Sequence, residues 1–200
     1  MIRNISIPFS FAHLFQTLWT AAFRPKYKKN LQYISAGLLG ATALSLSKAH
    51  AIYAPGSALD NTYTIGQYFL YLFPMSLHFG WTTAATLVNL NGALVANPDV
   101  SSKAIAFIGH SSVVVATALG VYVTNIRSAP VYGAVIAWAL FAVRDGMIKR
   151  MDMLLKKNDA SVKDSREYKD AKNQKLLSRI GGWICASASA FITVKSFQGK

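Results

Sequence analysis

The chain has 200 residues, 52% of them apolar and 14% charged, and its mean hydropathy of +0.29 is higher than a soluble domain of this size usually reaches. With 21 Lys and Arg against 8 Asp and Glu the net charge is +13, a balance suited to anionic lipid or an acidic partner, while the long apolar runs argue against a nucleic-acid partner. A single cysteine, Cys185, and four histidines exclude an internal disulfide framework and a zinc-finger spacing, so no metal site is expected.

Residues 1–30 form the first unit. No acid occurs between Met1 and Leu59, and Phe9, Phe11, Leu14, Phe15, Leu18 and Trp19 make a largely apolar stretch. An acid-poor, basic and aromatic segment reads as organellar targeting, or as a retained interfacial helix with its rings on the lipid side. Both readings suit a mitochondrial inner membrane, with the thylakoid as the alternative; a bacterial inner membrane is also compatible. Arg24, Lys26, Lys28 and Lys29 would attract anionic headgroups at about 1 kcal/mol each. Cardiolipin is the candidate lipid there, against ordinary topology-setting charge.

A charged side chain costs a few kcal/mol at the bilayer centre, so uncharged runs mark spans. Four such runs are Leu31–Ser47, Asn61–Pro98, Ala104–Ile126 and Ser128–Val143, and a shorter fifth covers Ile180–Val194. A span needs roughly 20 residues, so the third fits directly and the others need snorkelling flanks or a thinner environment. Pro74 divides the second run and predicts a helix start there. Tyr63–Phe73 is then an aromatic segment at the headgroup boundary or an irregular packed loop. The fold class is an all-α polytopic membrane protein: a four-helix bundle over 31–143, a charged helical arm over 144–179, and a short terminal membrane helix and tail over 180–200, with four to five spans in total.

The arm holds eleven Lys and Arg against six acids. Met147, Met151, Leu154 and Leu155 recur at helical spacing within it, which predicts a helix emerging from the fourth span. It serves either as a solvated hairpin or as a docking arm. Four spans between Arg24–Lys29 and this arm put both basic clusters on one side of the membrane.

No residue of fixed charge lies inside the spans, which argues against primary transport chemistry. Nucleophile–base pairs, metal clusters and phosphate loops are also missing from the pattern, so catalytic residues are not expected and the chain is not read as an enzyme. His78 and His110 differ in depth by about 15 Å, too far apart for one haem iron. The same arithmetic puts Asn89 level with His110 and predicts a hydrogen bond between them. Small residues at Gly37 and Gly40, Gly80 and Ala84, Ala116 and Gly120, Gly133 and Ala137, and Ser187 and Ala190 mark close helix contacts. Trp81 and Trp138 could floor a ligand pocket or simply anchor packing.

Two stretches, SLHFGWTTAATLVNLNGAL (Ser76–Leu94) and SAPVYGAVIAWALFAV (Ser128–Val143), resemble helices of the translocator protein, or tryptophan-rich sensory protein, family. The resemblance spans Phe73 to Val143 and rests on Gly80, Trp81, Ala84, Asn89, Trp138 and Ala139. The family's tryptophan–proline-rich loop is not found, and the basic arm and last helix are additions. The resemblance implies a helical bundle with a tetrapyrrole or lipid pocket near Trp81, Asn89, His110 and Trp138.

Two functions compete. Short or marginal spans that want protein neighbours, a basic arm and an N-terminal extension point to an accessory, non-catalytic subunit of an organellar energy-converting complex such as the respiratory chain or ATP synthase. Its partners would be the other subunits and anionic phospholipid, with no cofactor beyond bound lipid. The alternative is a translocator-type protein that binds a tetrapyrrole or lipid.

Overall fold

The computed structural model describes residues 2–23, 30–54, 65–156 and 160–198. In chain order these form α1 (Ile2–Ala22), α2 (Asn30–Ala51), α3 (Ile65–Gln67), a π-helical turn (Tyr68–Leu72), α4 (Phe73–Ala96), α5 (Ser102–Ile126), α6 (Pro130–Leu155), a 3-10 turn (Ala160–Asp164) and α7 (Arg166–Gln198). No strand occurs among the described residues. By length and composition Ser102–Ile126, Pro130–Leu155 and Arg166–Ser196 can each cross a membrane.

Side chains are distributed as lipid requires. Large apolar groups such as Leu44, Leu70, Phe107, Trp183 and Phe191 point outward, while the interior holds alanines together with Ser35, Thr42, Ser76, Thr82, Thr124 and Ser178. Helices in hydrocarbon gain little from hiding leucine from leucine, so small and polar residues take the contacts. Many hydroxyls bond one turn back, as Thr42 does to the Leu38 carbonyl, Thr83 to that of Phe79 and Thr117 to that of Val113. Each bond satisfies a donor that would otherwise be stranded in lipid.

Cross-helix pairs set the directions. Ser35 meets Asn89 and His50 meets Ser76, so α2 and α4 run antiparallel. Asn91 meets Ser112, and Ser189 meets the Pro130 carbonyl, so α4 opposes α5 and α6 opposes α7. The start of α2, the end of α4 and the α6–α7 connection therefore share one end of the molecule, the basic one. Arg24, Lys26, Lys28 and Lys29 lie outside the described residues.

Several boundaries differ from those expected. α4 starts at Phe73 with Pro74 in its first turn, as expected, but helical backbone also continues upstream through the π turn, where the Phe73 amide bonds the Tyr68 carbonyl. A wider turn just before proline relieves the clash its ring makes with the preceding turn, so the aromatic segment stays helical up to the span. The fourth run continues, as expected, into a helix beyond Val143, with α6 reaching Leu155, whereas the fifth run is the second half of α7, a single helix of 33 residues. The arm is thus the joined ends of two spans. Residues 2–22 form a helix of 21 residues that packs along α2 with Ala12 fully buried, so the N-terminal segment belongs to the bundle.

Candidate functional site

The faces that α4, α5 and α6 turn toward each other are poor in bulk. Ala84 on α4, Ala106, Gly109 and Ala116 on α5, and Ala139 and Gly146 on α6 leave room that α7 closes from the fourth side. The result is a cavity of about 680 Å3, within the range of ligand pockets. Its inner walls are Leu87, Val113, Ile136, Leu140 and Val143, all apolar. Charge is confined to the mouth at the basic end, where Arg150 of α6 faces Arg166, Glu167, Asp170 and Gln174 of α7. Gly109 permits this closure: a Cβ there would sit 3.1 Å from Gln174 Nε2.

At the mouth, Arg166 Nε lies 3.7 Å from Asp170 Oδ2 one turn along the same helix. This is an exposed and weak pair. Among the described residues no ion pair engages Arg150 or Glu167. Part of the wall is braced by Asn91, whose Nδ2 donates to Ser112 Oγ at 2.8 Å and to the Leu87 carbonyl at 2.8 Å. Asn91→Ala removes the α4–α5 link, and a loss of about 0.6–1.7 kcal/mol is expected. Thermal denaturation in detergent checks this, and an unchanged midpoint would mean that the wall is held elsewhere.

The expected site residues are dispersed. Trp81 and Trp138 do meet, with ring centroids 5.5 Å apart, but both are about half exposed on the outer face of the bundle and neither lines the cavity. Asn89 does not bond His110. Its Oδ1 accepts from Ser35 Oγ at 3.1 Å, while His110 Nδ1 lies 2.6 Å from the Ala106 carbonyl. Both the register and the facing differ from expectation: the Asn91–Ser112 bond sets Asn89 about level with Val114, roughly one turn from His110, and because residues two apart point about 200° apart around a helix, Asn91 faces α5 while Asn89 faces α2. The sequence did hold a signal for the cavity, in the recurrence of small or modest side chains at Ala106, Gly109, Val113 and Ala116 along one face of α5.

At the opposite end His50 Nε2 lies 2.8 Å from Ser76 Oγ, and Arg127 donates to Ser47. His78 faces His13 of α1, with ring centroids 6.3 Å apart. Among the described residues no group of three or more His, Cys, Asp or Glu is placed to hold a metal ion.

A family described as TSPO-like protein matches residues 1–151. That range contains both stretches in which the translocator resemblance was read and stops short of α7. No curated protein and no solved structure matches the chain. The accessory-subunit expectation gains no support from this match. It also loses one premise, because the short runs behind it belong to helices of 22, 26 and 33 residues.

Proposed function

Because the chain belongs to the TSPO-like protein family, we propose that it is a non-enzymatic membrane protein of the translocator type that holds an amphipathic ligand, a tetrapyrrole or a lipid, between α4, α5, α6 and α7. The observation that carries this reading is the cavity itself, apolar in depth and charged only at its mouth. Such a polarity gradient suits a ligand with an apolar body and a charged edge. The acid-poor N-terminal segment supports an organellar membrane, mitochondrial or thylakoid, which a fluorescent fusion viewed in intact cells would test.

Binding is tested by titrating the detergent-solubilised protein with protoporphyrin and with a fluorescent phospholipid. Ala106→Trp puts a ring into the cavity, and an affinity loss of about tenfold or more is expected, the size of one lost set of apolar contacts. Trp81→Ala and Trp138→Ala should bind like the unmodified chain, because both rings face away from the cavity. Binding of neither ligand, or binding indifferent to Ala106→Trp, would overturn the reading.

A further inference from the structure

The cavity has a length as well as a volume. Along α5 its lining runs from Ser102 to Ala116, and along α6 from Ile136 to Arg150. The fourteen helical rises between the end residues on each wall span about 21 Å. One leaflet of a bilayer, with its headgroups, is about 20–22 Å deep. The cavity is therefore as deep as one leaflet, with its apolar end near the midplane and its charged end at the headgroup level.

The charges at the mouth narrow the class further. Arg166 and Asp170 offset each other within α7. What remains is one cation on α6, Arg150, and one acid on α7, Glu167, with no ion-pair partner among the described residues. A purely anionic headgroup would satisfy Arg150 and be repelled by Glu167. A headgroup carrying a phosphate and an ammonium satisfies both. Glu167 and Gln174 belong to α7, beyond the residues the family match covers, so this selectivity would be built from the added helix.

We propose that the occupant is a zwitterionic phospholipid, with one acyl chain along α5 and its phosphate and ammonium set between Arg150 and Glu167. This rests on the reading of the cavity as a ligand site. The lipid enters from its own leaflet, and α7 fixes which headgroup stays.

The test uses the full chain reconstituted in vesicles of equal phosphatidylcholine and phosphatidylglycerol, extracted in mild detergent and examined by native mass spectrometry. Phosphatidylcholine should be retained preferentially, and Glu167→Gln should lower that preference by about threefold to fivefold, the effect of one interfacial charge. Arg150→Gln should weaken retention of both lipids, and Ala106→Trp should remove both. Ala139→Phe, which fills the same space from α6, stands in if Ala106→Trp does not elute as a single species. Equal or greater retention of phosphatidylglycerol, or an unchanged preference in Glu167→Gln, overturns the headgroup assignment. If no lipid is retained but protoporphyrin still binds in a way that Ala106→Trp abolishes, the lipid inference fails and the cavity reading stands. If the filled variants change neither ligand, the cavity reading fails as well.

Discussion

Gly120→Ala is expected to lower the melting midpoint of the detergent-solubilised protein by about 4–8 °C, and Gly120→Leu to leave no monodisperse species. The reason is the junction of α5, α6 and α7, where a methyl on Gly120 would lie 2.5 Å from Cys185 Sγ and 3.0 Å from Ile136 Cγ2. Both neighbours are completely buried and have nowhere to go. Gly133 meets Thr124 Oγ1 and Gly181 meets Thr117 Oγ1 in the same way, and a Cβ on Gly182 would lie 2.7 Å from Phe141 Cε1. Forcing one extra carbon into such packing costs about 1–3 kcal/mol, and in a chain of this length each kcal/mol is worth about 2–4 °C. Cys185→Ala removes the nearest obstructing atom, so Gly120→Ala combined with Cys185→Ala should recover more than half of the loss seen when Gly120→Ala is made alone. Additive losses in the double variant would mean that the two residues do not meet, and a shift below about 1 °C for Gly120→Ala would mean that the helices can part without cost.

Much of this architecture was legible in the sequence because hydrocarbon imposes a coarse rule: charged residues end spans and uncharged runs make them. That rule placed α5 almost to the residue. The helical spacing of Met147, Met151, Leu154 and Leu155 likewise announced that α6 continues past Val143, but no side-chain pattern announces a π turn ahead of Pro74. Gly80, Gly120 and Gly133 were found as contacts by their small size, and Val135, Cys185 and Thr124 are what they touch. Gly37, chosen on the same grounds, touches nothing within 4 Å, since small size permits an approach without requiring one. The candidate site was harder to read. Its floor needs the rotational setting of three helices at once, and an error of two residues in that setting exchanged Asn91 for Asn89. Its mouth needs α7 folded back along α5 and α6, a contact between residues far apart in the chain.

Arg127→Ala should be the most damaging change outside the membrane-spanning helices, with a midpoint lowered by about 6–12 °C. Arg127 occupies the turn between α5 and α6, where Ser128 adopts a left-handed backbone with φ of 47°. From there its Nη1 donates to the Ser47 carbonyl at 2.8 Å and its Nη2 to Ser47 Oγ at 3.0 Å, while the guanidinium lies 5.7 Å from the Phe79 ring centroid. Ser47 lies one turn before the end of α2 at Ala51, close to the negative end of the helix dipole, so the guanidinium adds a favourable contact there. One side chain thus holds the C-terminal part of α2, covers Phe79 of α4 and ties both to the α5–α6 turn. Burial lowers the guanidinium pKa from its ordinary value, but an arginine begins so far above neutrality that it stays charged. Charge-assisted hydrogen bonds of this kind are worth about 1.5–3 kcal/mol each, and a loss of about 3 kcal/mol in total gives the expected shift. Arg127→Lys keeps the charge but cannot reach both oxygens of Ser47 with a fixed fork, so it should recover about half of the shift. Full rescue by lysine would mean that only the charge matters, and no loss in Arg127→Ala would show that the end of α2 is held by something else.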